Sequence, residues 1–391
     1  MTVKIGFPYF YHPYHAYHSA PIGFELSRLD PNLEITFITT SKNTYDLLNE
    51  MGSYYENHRC SVHLLPSKFH YYEIFSLSNY LSYLHFRFIR QNHSSLTQIP
   101  SPIKMINKYA KQFKQMDIII DTNFLSLRLK KLNNNNVTKY IQAFHGGGDR
   151  KREFSKHLKR IDFFLLCGPK RFRRLDEAGY LNNDNWAYFG YPKFDLTLNN
   201  KIEHDLFNNN RPIVLYNPHF EPHLTSWFDW GKDILDYFAK SKKYNLIFAP
   251  HVELKGRSSK RLSLKKYEKI PHMHIDLGSQ SLIDMTYTNI ADLYIGDVSS
   301  QIVEYLVKPR PCIFLNNHNI SWKDNPYFVH WALGPIIEHL SQLDMTIYNS
   351  LKSPNKFLSI QKEYFADSIQ LENIPSGLRA AQEVLKFLKS I

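Results

Sequence analysis

The chain has 391 residues and a formal net charge of +12, from 48 Lys and Arg against 36 Asp and Glu. A hydrophobic content of 43% and an aromatic content of 15% exclude an intrinsically disordered protein, and the length suits two domains that each enclose a core. Because the net charge is positive, we expect anionic partners, such as nucleic acid, an acidic membrane face or phosphorylated small molecules.

In chain order, the sequence predicts two series of buried strands with helices between them. The first series is "VKIGFPYF", "LEITFITT", "MDIIIDTN", "KYIQAFHG", "DFFLLCGPK" and "WAYFGYPKFD", with a helical pattern in "PIGFELSRL". The second series is "RPIVLYNPH", "YNLIFAPH", "MHIDLG", "ADLYIGDVSS" and "PCIFLNN". Apolar strands that alternate with helices are typical of parallel sheets covered on both faces. The pattern predicts an α/β protein with two doubly wound domains.

The boundary between these domains is predicted near residues 199–212, in the polar stretch "NNKIEHDLFNNNRP". We expect one domain over residues 1–200, a second over 205–375, and a C-terminal helix over 376–391 that packs on the fold. A second amphipathic pattern, "SLSNYLSYLHFRFIRQ", predicts a helix with an apolar stripe. A buried core helix is the default interpretation, and docking on an anionic membrane or a lipid-linked acceptor is the alternative.

The cysteines and the N-terminus indicate the cellular setting. Cys60, Cys167 and Cys312 are widely spaced and odd in number, which excludes a disulfide framework and a cysteine zinc site and favours a reducing compartment. The sequence shows neither a signal-peptide pattern at its start nor a stretch of the roughly 20 apolar residues that span a bilayer. We expect a cytoplasmic protein, either soluble or peripheral on the inner face of the cell membrane.

Chemically active residues follow several of the predicted strands, where open parallel sheets bind their ligands. These residues are His145 before three glycines, the turn Asn217-Pro218-His219, His251, and Asp297 with Ser299 and Ser300. One histidine at a strand end is often incidental. Histidines at equivalent positions in both halves favour a functional site.

The segment "YIGDVSSQIVEYL" predicts a strand, a turn and the start of a helix. Asp297 or Ser299 can cap that helix, and the free N–H groups with the Ser299 and Ser300 hydroxyls form a site for phosphate. A simple capped helix without a ligand is the structural alternative. Glu304, one turn further on, can accept hydrogen bonds from a ribose diol.

A histidine-rich stretch near the N-terminus, "YFYHPYHAYHSAPIG", reads as a loop. His12, His15 and His18 recur every three residues among tyrosines. Metal binding is less favoured than an aromatic and imidazole lining of a polar cleft, because no cysteine or carboxylate accompanies them.

The segments "HGGGDR", "LYNPHF", "FAPHVEL" and "ADLYIGDVSSQIVEYLVKPRPCIFLN" together resemble the CDP-glycerol glycerophosphotransferase family, the teichoic-acid polymerases and their relatives. The resemblance extends over residues 138–318. It implies a GT-B fold, in which two Rossmann-like domains face each other across a cleft. The chain departs from the family pattern at Gly147, where the family has Thr, and at His219, where it has a small polar residue. These departures leave the transferred group open.

The resemblance implies that His145 is a general base, which takes the proton of an acceptor hydroxyl as that oxygen attacks the β-phosphorus of a CDP-activated donor. It implies that His251 contacts the donor pyrophosphate. The predicted donor-binding residues are Asn217, His219, His251, Lys255, Arg257, Asp297, Ser299, Ser300 and Glu304. The predicted acceptor-binding residues are Gly146, Gly147, Arg150, His15 and His18. We expect no cofactor and no metal.

Three functions remain open at this point. The first is transfer of a polyol phosphate to a glycan or lipid-linked polymer, and the second is sugar transfer from a nucleotide-sugar with His145 still the base. The third is nucleic-acid binding, which the net charge suggests. It is disfavoured because the basic residues are scattered and form no recognisable binding module.

Overall fold

The computed structural model describes residues 2–10, 12–66, 100–123, 125–133, 137–147, 156–198, 206–254 and 264–390. The chain divides into two compact units. The first comprises Met1–Gly146, Arg152–Asn200 and Asp367–Ile391, and the second comprises Gly147–Lys151 and Lys201–Ala366. The predicted amphipathic helix in "SLSNYLSYLHFRFIRQ" lies outside the described residues.

The first unit alternates strands and helices. In chain order its elements are β1 (Val3–Tyr9), α1 (His15–Leu29), β2 (Leu33–Thr39), α2 (Lys42–Gly52), β3 (Ser61–Leu64), α3 (Pro100–Tyr109), β4 (Ile118–Asp121), α4 (Leu125–Asn133), β5 (Lys139–Ala143), β6 (Phe163–Leu166), α5 (Pro169–Glu177), β7 (Trp186–Tyr188) and α6 (Pro192–Thr197). The described strands form one parallel sheet in the order β3-β2-β1-β4-β5-β6-β7. The order reverses between β1 and β4, as it does in a doubly wound sheet.

Helix α1 begins earlier than the sequence pattern indicates. The stretch interpreted as a loop is helical from His15, so that His15 and His18 lie in the first turns of α1. Pro21, the first residue of the predicted helical pattern "PIGFELSRL", lies inside this helix. A proline in a helix interior removes its own N–H donor and crowds the carbonyl group four residues earlier, here that of Tyr17. Burial of nearly every residue from His15 to Ser27 supplies the compensating packing.

The second unit has a smaller sheet of the same kind. Its elements are β8 (Ile213–Asn217), α7 (Lys232–Lys240), β9 (Asn245–Phe248), α8 (Lys265–Glu268), β10 (Met273–Ile275), α9 (Thr286–Ile290), β11 (Leu293–Gly296), α10 (Gln301–Tyr305), β12 (Cys312–Leu315), β13 (Ile336–Ile337), α11 (Leu343–Lys352) and α12 (Leu358–Ser368). The described strands are parallel, in the order β10-β9-β8-β11-β12-β13. The order reverses between β8 and β11.

The apolar strands explain both sheets. β4, β6, β9, β11 and β12 are buried at every position, as expected for parallel strands covered on two faces. The predicted α/β class with two doubly wound domains is confirmed. The sequence analysis did not identify β3, which is half exposed, or β13, which has two residues.

The C-terminal helix, α13 (Ser376–Ser390), belongs to the first unit. It packs against α1 and α6, and the ring of Phe387 stacks on Phe163 at 4.7 Å. Asp195 in α6 caps it, because its carboxylate accepts hydrogen bonds from the N–H groups of Ser376 (2.9 Å) and Gly377 (2.6 Å). Carboxylates stabilise helix N-termini in this way.

This cap gives the first unit a pH-dependent stability. Burial raises the pKa of Asp195 to about 6, and the hydrogen bonds from Gly377 and Ser376 oppose the rise. Between about pH 4 and 6 the folded state keeps a proton that the unfolded state has lost, so stability falls as the pH rises through this window. Asparagine does not titrate. The free energy of unfolding of wild type, measured relative to that of Asp195→Asn, should therefore fall by up to about 3 kcal/mol as the pH rises from about 4 to 6. Urea unfolding at several pH values tests this prediction, and the exposed Asp184→Asn variant should show no such change.

Candidate functional site

The first sheet places three side chains beyond neighbouring strands at its reversal point. His15 follows β1, Thr122 follows β4, and His145 follows β5. Ligands of doubly wound folds bind outside the carboxyl ends of the strands, beside such a reversal. The predicted base therefore lies where this fold forms binding sites.

His145 is held in one tautomer by the backbone. Its Nδ1 lies 2.5 Å from the carbonyl oxygen of Thr122, and its ring is partly buried. A carbonyl oxygen only accepts hydrogen bonds, so Nδ1 carries the proton of the neutral ring. Nε2 then has a lone pair and can accept a proton, as a general base requires.

Two further histidine rings pack against His145. His15 and His18 are 2% and 4% exposed, and their ring centroids lie 4.6 and 6.0 Å from that of His145. Burial lowers the pKa of both rings well below the ordinary range. Nearby His145 lowers the pKa of His15 further, and Lys193 lowers that of His18. Both rings stay neutral at neutral pH, and their assignment to acceptor binding stays a prediction.

The turn after His145 requires a glycine. Gly146 has a φ of 95°, a conformation that favours glycine, and the next residue, Gly147, is buried. The carbonyl oxygen of Gly146 accepts a 2.9 Å hydrogen bond from Arg171. The guanidinium of Arg171 also lies 4.5 Å from the ring centre of Phe144. Arg171 was not predictable from the sequence, because contacts with a carbonyl group and a ring face leave no motif.

We expect Gly146→Ala to lower both stability and activity. A Cβ at this φ is strained by about 1 to 2 kcal/mol, and relaxing that strain would shift the adjacent His145. Gly179→Ala is the matched control, because Gly179 has a φ of 68° and no atom lies within 4 Å of a Cβ there. Urea unfolding should show a loss of stability in both variants, and a transfer assay should show a loss of activity in Gly146→Ala alone. Full activity in Gly146→Ala would contradict the prediction.

In the second unit, one buried carboxylate joins two loops that follow neighbouring strands. Asp297 follows β11 and is 1% exposed. Its Oδ1 accepts 2.8 Å hydrogen bonds from the N–H groups of His219 and Val298. Its Oδ2 accepts from the N–H (2.7 Å) and the hydroxyl (3.0 Å) of Ser226. Burial raises the pKa of Asp297, and the hydrogen bonds oppose the rise.

Asn217 fixes the end of β8 in the same way. It is fully buried, its Nδ2 donates to the carbonyl oxygen of Ala249 at 2.5 Å, and its Oδ1 accepts from the hydroxyl of Tyr294 at 3.2 Å. The indole N–H of Trp331 donates to the carbonyl oxygen of Asp297 at 2.8 Å. The carboxyl edge of this sheet is therefore held by buried polar groups whose hydrogen bonds lie within the unit.

His219 and His251 have the opposite tautomer to His145. Nδ1 of His219 accepts a 3.2 Å hydrogen bond from the N–H of Glu221, and Nδ1 of His251 accepts one of the same length from the N–H of Glu253. A neutral ring whose Nδ1 accepts carries its proton on Nε2. Their ring centroids are 5.5 Å apart. His219 is fully buried and His251 is partly exposed, so His251 is the ring of this pair that solvent reaches.

The N-cap position of α10 is Ser300, whose side chain makes no cap hydrogen bond, rather than Asp297 or Ser299 as predicted. Ser299 Oγ, one residue earlier, accepts a 3.3 Å hydrogen bond from the N–H of Gln301, whereas the carboxylate of Asp297 is bonded to the two loops instead. Ser300 is exposed. Because α10 has five residues, its macrodipole is small, and an anion here would depend on local N–H groups and the two hydroxyls.

A small pocket lies beside α10 and contains Glu304. Its polar lining residues are Ser281, Tyr287, Thr288, Gln301 and Glu304, and its apolar ones include Ala249 and Leu282. Glu304 is 5% exposed, and Ala249 lies two residues before His251. The space is no larger than one water molecule needs, so the pocket as it stands does not hold a nucleoside.

Asp276, at the end of β10, shapes the loop that forms one wall of this pocket. Its Oδ1 accepts 2.9 Å hydrogen bonds from the N–H groups of Gly278 and Ser279, and its Oδ2 accepts from the hydroxyl of Tyr287 at 2.6 Å. The sequence analysis missed Asp276 and Thr122. Both follow a predicted strand, so the strand-end rule that identified His145 would have identified them.

Three predicted residues, Arg150, Lys255 and Arg257, lie outside the described residues. Within the described ranges, no group of three or more His, Cys, Asp or Glu side chains could hold a metal ion. No helix in that part of the chain has the length and apolar character needed to cross a bilayer.

No family model and no curated protein sequence matches the chain. Solved structures of the same fold do match. The wall teichoic acid polymerase TagF has a TM-score of 0.61 at 14% identity, covering 100% of this chain and 90% of that chain. MnaA of S. aureus with UDP has a TM-score of 0.58 at 12% identity, covering 100% and 96%. The UDP-GlcNAc 2-epimerase from Neisseria meningitidis, bound to UDP-GlcNAc, has a TM-score of 0.59 at 11% identity, covering 100% of both chains.

These likenesses extend over the whole chain, although fewer than one residue in six is identical. With two parallel sheets, each doubly wound, the chain has the GT-B fold. The resemblance to the teichoic-acid polymerases is therefore confirmed at the level of the fold.

Proposed function

We propose that the protein is a transferase that moves glycerol phosphate, or a similar polyol phosphate, from a CDP-activated donor to a glycan or polymer acceptor in cell-surface polysaccharide synthesis. The observation that carries the proposal is the tautomer of His145, whose Nδ1 bonds the carbonyl oxygen of Thr122 and whose Nε2 is left basic. The motif resemblance and the shared fold with TagF, one variant of which was solved with CDPG, support it.

In the proposed reaction, an acceptor hydroxyl attacks the β-phosphorus of the donor, and its proton passes to Nε2 of His145. The bond between the β-phosphorus and the bridging oxygen breaks, and CMP leaves. The product carries a new phosphodiester between the acceptor oxygen and the polyol. The His145 imidazolium is stabilised by its Nδ1–H bond to the Thr122 carbonyl oxygen, which becomes charge-assisted.

We assign the donor to the second unit. The partly exposed His251 would contact the pyrophosphate and stabilise the charge that develops on the departing CMP, and the buried ring of His219 packs 5.5 Å from it. Ser299 and Ser300 would add hydroxyl donors. Glu304 stays a prediction as the acceptor of hydrogen bonds from the ribose diol.

Asn217 and Asp297 act differently in this proposal. Their side-chain hydrogen bonds go to the loops that follow β8, β9 and β11, so we assign them to positioning His219 and the loop before α10. Arg150, Lys255 and Arg257 stay predictions as cations for acceptor and donor phosphates. The proposed setting is the cytoplasmic side of the cell membrane, with no cofactor and no nucleic acid.

A nucleotide-sugar glycosyltransferase is the second candidate. The structural likeness to MnaA with UDP and to a UDP-GlcNAc 2-epimerase favours it, because both bind uridine nucleotides on the same fold. His145 would again take the proton of an acceptor hydroxyl, and the attack would fall on the anomeric carbon of the sugar instead of on phosphorus.

Ligand screening separates the two candidates. We expect CDP-glycerol or CDP-ribitol to raise the melting temperature, and labelled CDP-glycerol to pass its label to a teichoic-acid-type or glycan acceptor with release of CMP. Stabilisation by UDP- or CMP-sugars alone would select the glycosyltransferase. Tight, salt-dependent binding to an oligonucleotide, without an effect of any nucleotide donor, would overturn both.

A further inference from the structure

A chain of contacts links His15 to His145 through a single residue. Nδ1 of His15 lies 2.7 Å from the hydroxyl of Thr122, and Nδ1 of His145 donates to the carbonyl oxygen of the same residue. Thr122 is 3% exposed, and the two rings also contact each other edge to face at 4.6 Å. The partner that sets the tautomer of His145 is therefore itself bonded to a second histidine.

The position of the Thr122 carbonyl group depends on these neighbours. Thr122 lies directly beyond β4, where the strand pairing no longer holds the backbone. The carboxylate of Asp121 accepts a 3.1 Å hydrogen bond from the N–H of Asn123, and Gln142 donates to the carbonyl oxygen of Asp121 at 3.1 Å. The hydrogen bond between its own hydroxyl and Nδ1 of His15 is a side-chain restraint on the residue itself. Loss of this bond would free the carbonyl group to rotate.

The two rings beside His145 disfavour the charged form. Burial lowers the pKa of His15 and His18, and the positively charged Lys193 adds to this at His18.

We propose that His15 and Thr122 are positioning residues that hold His145 in the tautomer whose Nε2 accepts the substrate proton. The inference rests on the proposed function, in which His145 is the base. His15 acts through Thr122, and Thr122 acts through its carbonyl oxygen.

The Thr122 hydroxyl is tested with a matched pair of variants. Thr122→Val keeps the shape of the side chain and removes the hydroxyl, and Thr122→Ser restores the hydroxyl. Thr138→Val is the control. Thr138 is 2% exposed, and its hydroxyl donates to the carbonyl oxygen of Met116 at 2.9 Å. It precedes β5, whereas His145 follows β5, so the control lies away from the site.

We expect kcat of Thr122→Val to fall about tenfold, a part of the roughly 100- to 10,000-fold that a general base supplies. KM for the donor should stay within about twofold, and Thr122→Ser should recover most of kcat. Thr138→Val should lose similar thermal stability and keep its kcat. A wild-type kcat in Thr122→Val, or an equal loss in Thr138→Val, would overturn the proposal.

Two amide variants test whether Nδ1 of His15 is the atom that matters. The amide of asparagine reaches about as far as Nδ1 of histidine, and that of glutamine reaches about as far as Nε2. Because Nδ1 contacts the Thr122 hydroxyl, His15→Asn should retain more kcat than His15→Gln. His58→Asn is the control and should leave kcat unchanged, because Nδ1 of His58 also takes part in a hydrogen bond, here with the N–H of Cys60 at 3.2 Å. Equal kcat in His15→Asn and His15→Gln would contradict the assignment.

A spectroscopic measurement separates this inference from the proposed function. In protein with ¹⁵N-labelled histidine, long-range ¹H–¹⁵N correlation reports the tautomer of each ring, and the His145→Gln variant identifies the signals of His145. We expect the Nδ1–H form in wild type and in Thr122→Ser, and a mixture in Thr122→Val. An unchanged tautomer in Thr122→Val would overturn the inference even if transfer from CDP-glycerol is observed. If Thr122→Val shows the expected tautomer mixture but no activated donor supports transfer by the wild-type protein, the proposed function is rejected and the inference stands.

Discussion

The His145→Ala variant should transfer glycerol phosphate from CDP-glycerol with a kcat reduced about 100- to 10,000-fold. The loss follows from removing the ring whose Nδ1–H is held by the Thr122 carbonyl oxygen and whose Nε2 is the proposed base. Donor binding should be retained, because the donor is assigned to the second unit. Transfer of labelled donor measures kcat, and the thermal shift caused by CDP-glycerol measures binding.

Two controls make this result specific to the imidazole. His63→Ala removes an exposed histidine from β3 and should leave kcat unchanged. Added imidazole should restore part of the activity of His145→Ala, because the space left by the side chain can admit a free base. An active His145→Ala enzyme would remove the general-base assignment. A variant that loses donor binding together with kcat would show that His145 contacts the donor instead.

Strands were predictable because parallel strands covered on both faces carry a local apolar signal. "IIID", "FFLL" and "LYIG" are buried at each position. The first ends at an aspartate, the third ends at a glycine, and the second is followed by Cys167 and Gly168. The start of α1 was not predictable by the same means, since the helix contains Pro21 and its first turns are rich in histidine and tyrosine. Tertiary burial, rather than local propensity, decides the conformation of that segment.

The site was predictable as a set of positions but not as a set of roles. The strand-end rule identified His145, Asn217 and Asp297, yet the sequence holds no sign that Asn217 and Asp297 are enclosed by loop N–H groups and carbonyl oxygens. The opposite tautomers of His145 and His251 depend on backbone atoms alone. Such bonds involve groups that every residue carries, so composition and spacing do not encode them.

The Asp297→Asn variant should unfold the second unit at a clearly lower urea concentration, with a loss of about 3 kcal/mol in the free energy of unfolding. An amide keeps a single acceptor oxygen, so its NH₂ group must face either the N–H groups of His219 and Val298 or the N–H of Ser226. In either orientation buried donors lose their acceptor, and one donor points at another. Weaker stabilisation by CDP-glycerol should accompany the loss, because His219 is positioned through this carboxylate.

Asp292→Asn is the matched control for this variant, since Asp292 also accepts a hydrogen bond from a backbone N–H, that of Ile213 at 2.8 Å, but is exposed to water. Water can replace the lost acceptor there, and we expect a loss below about 1 kcal/mol. Tryptophan fluorescence follows the transition, because four of the five tryptophans lie in the second unit. If Asp297→Asn and Asp292→Asn lose the same free energy of unfolding, the buried carboxylate contributes no more to stability than the exposed one. The proposed positioning of the donor-binding loops by Asp297 would then be wrong.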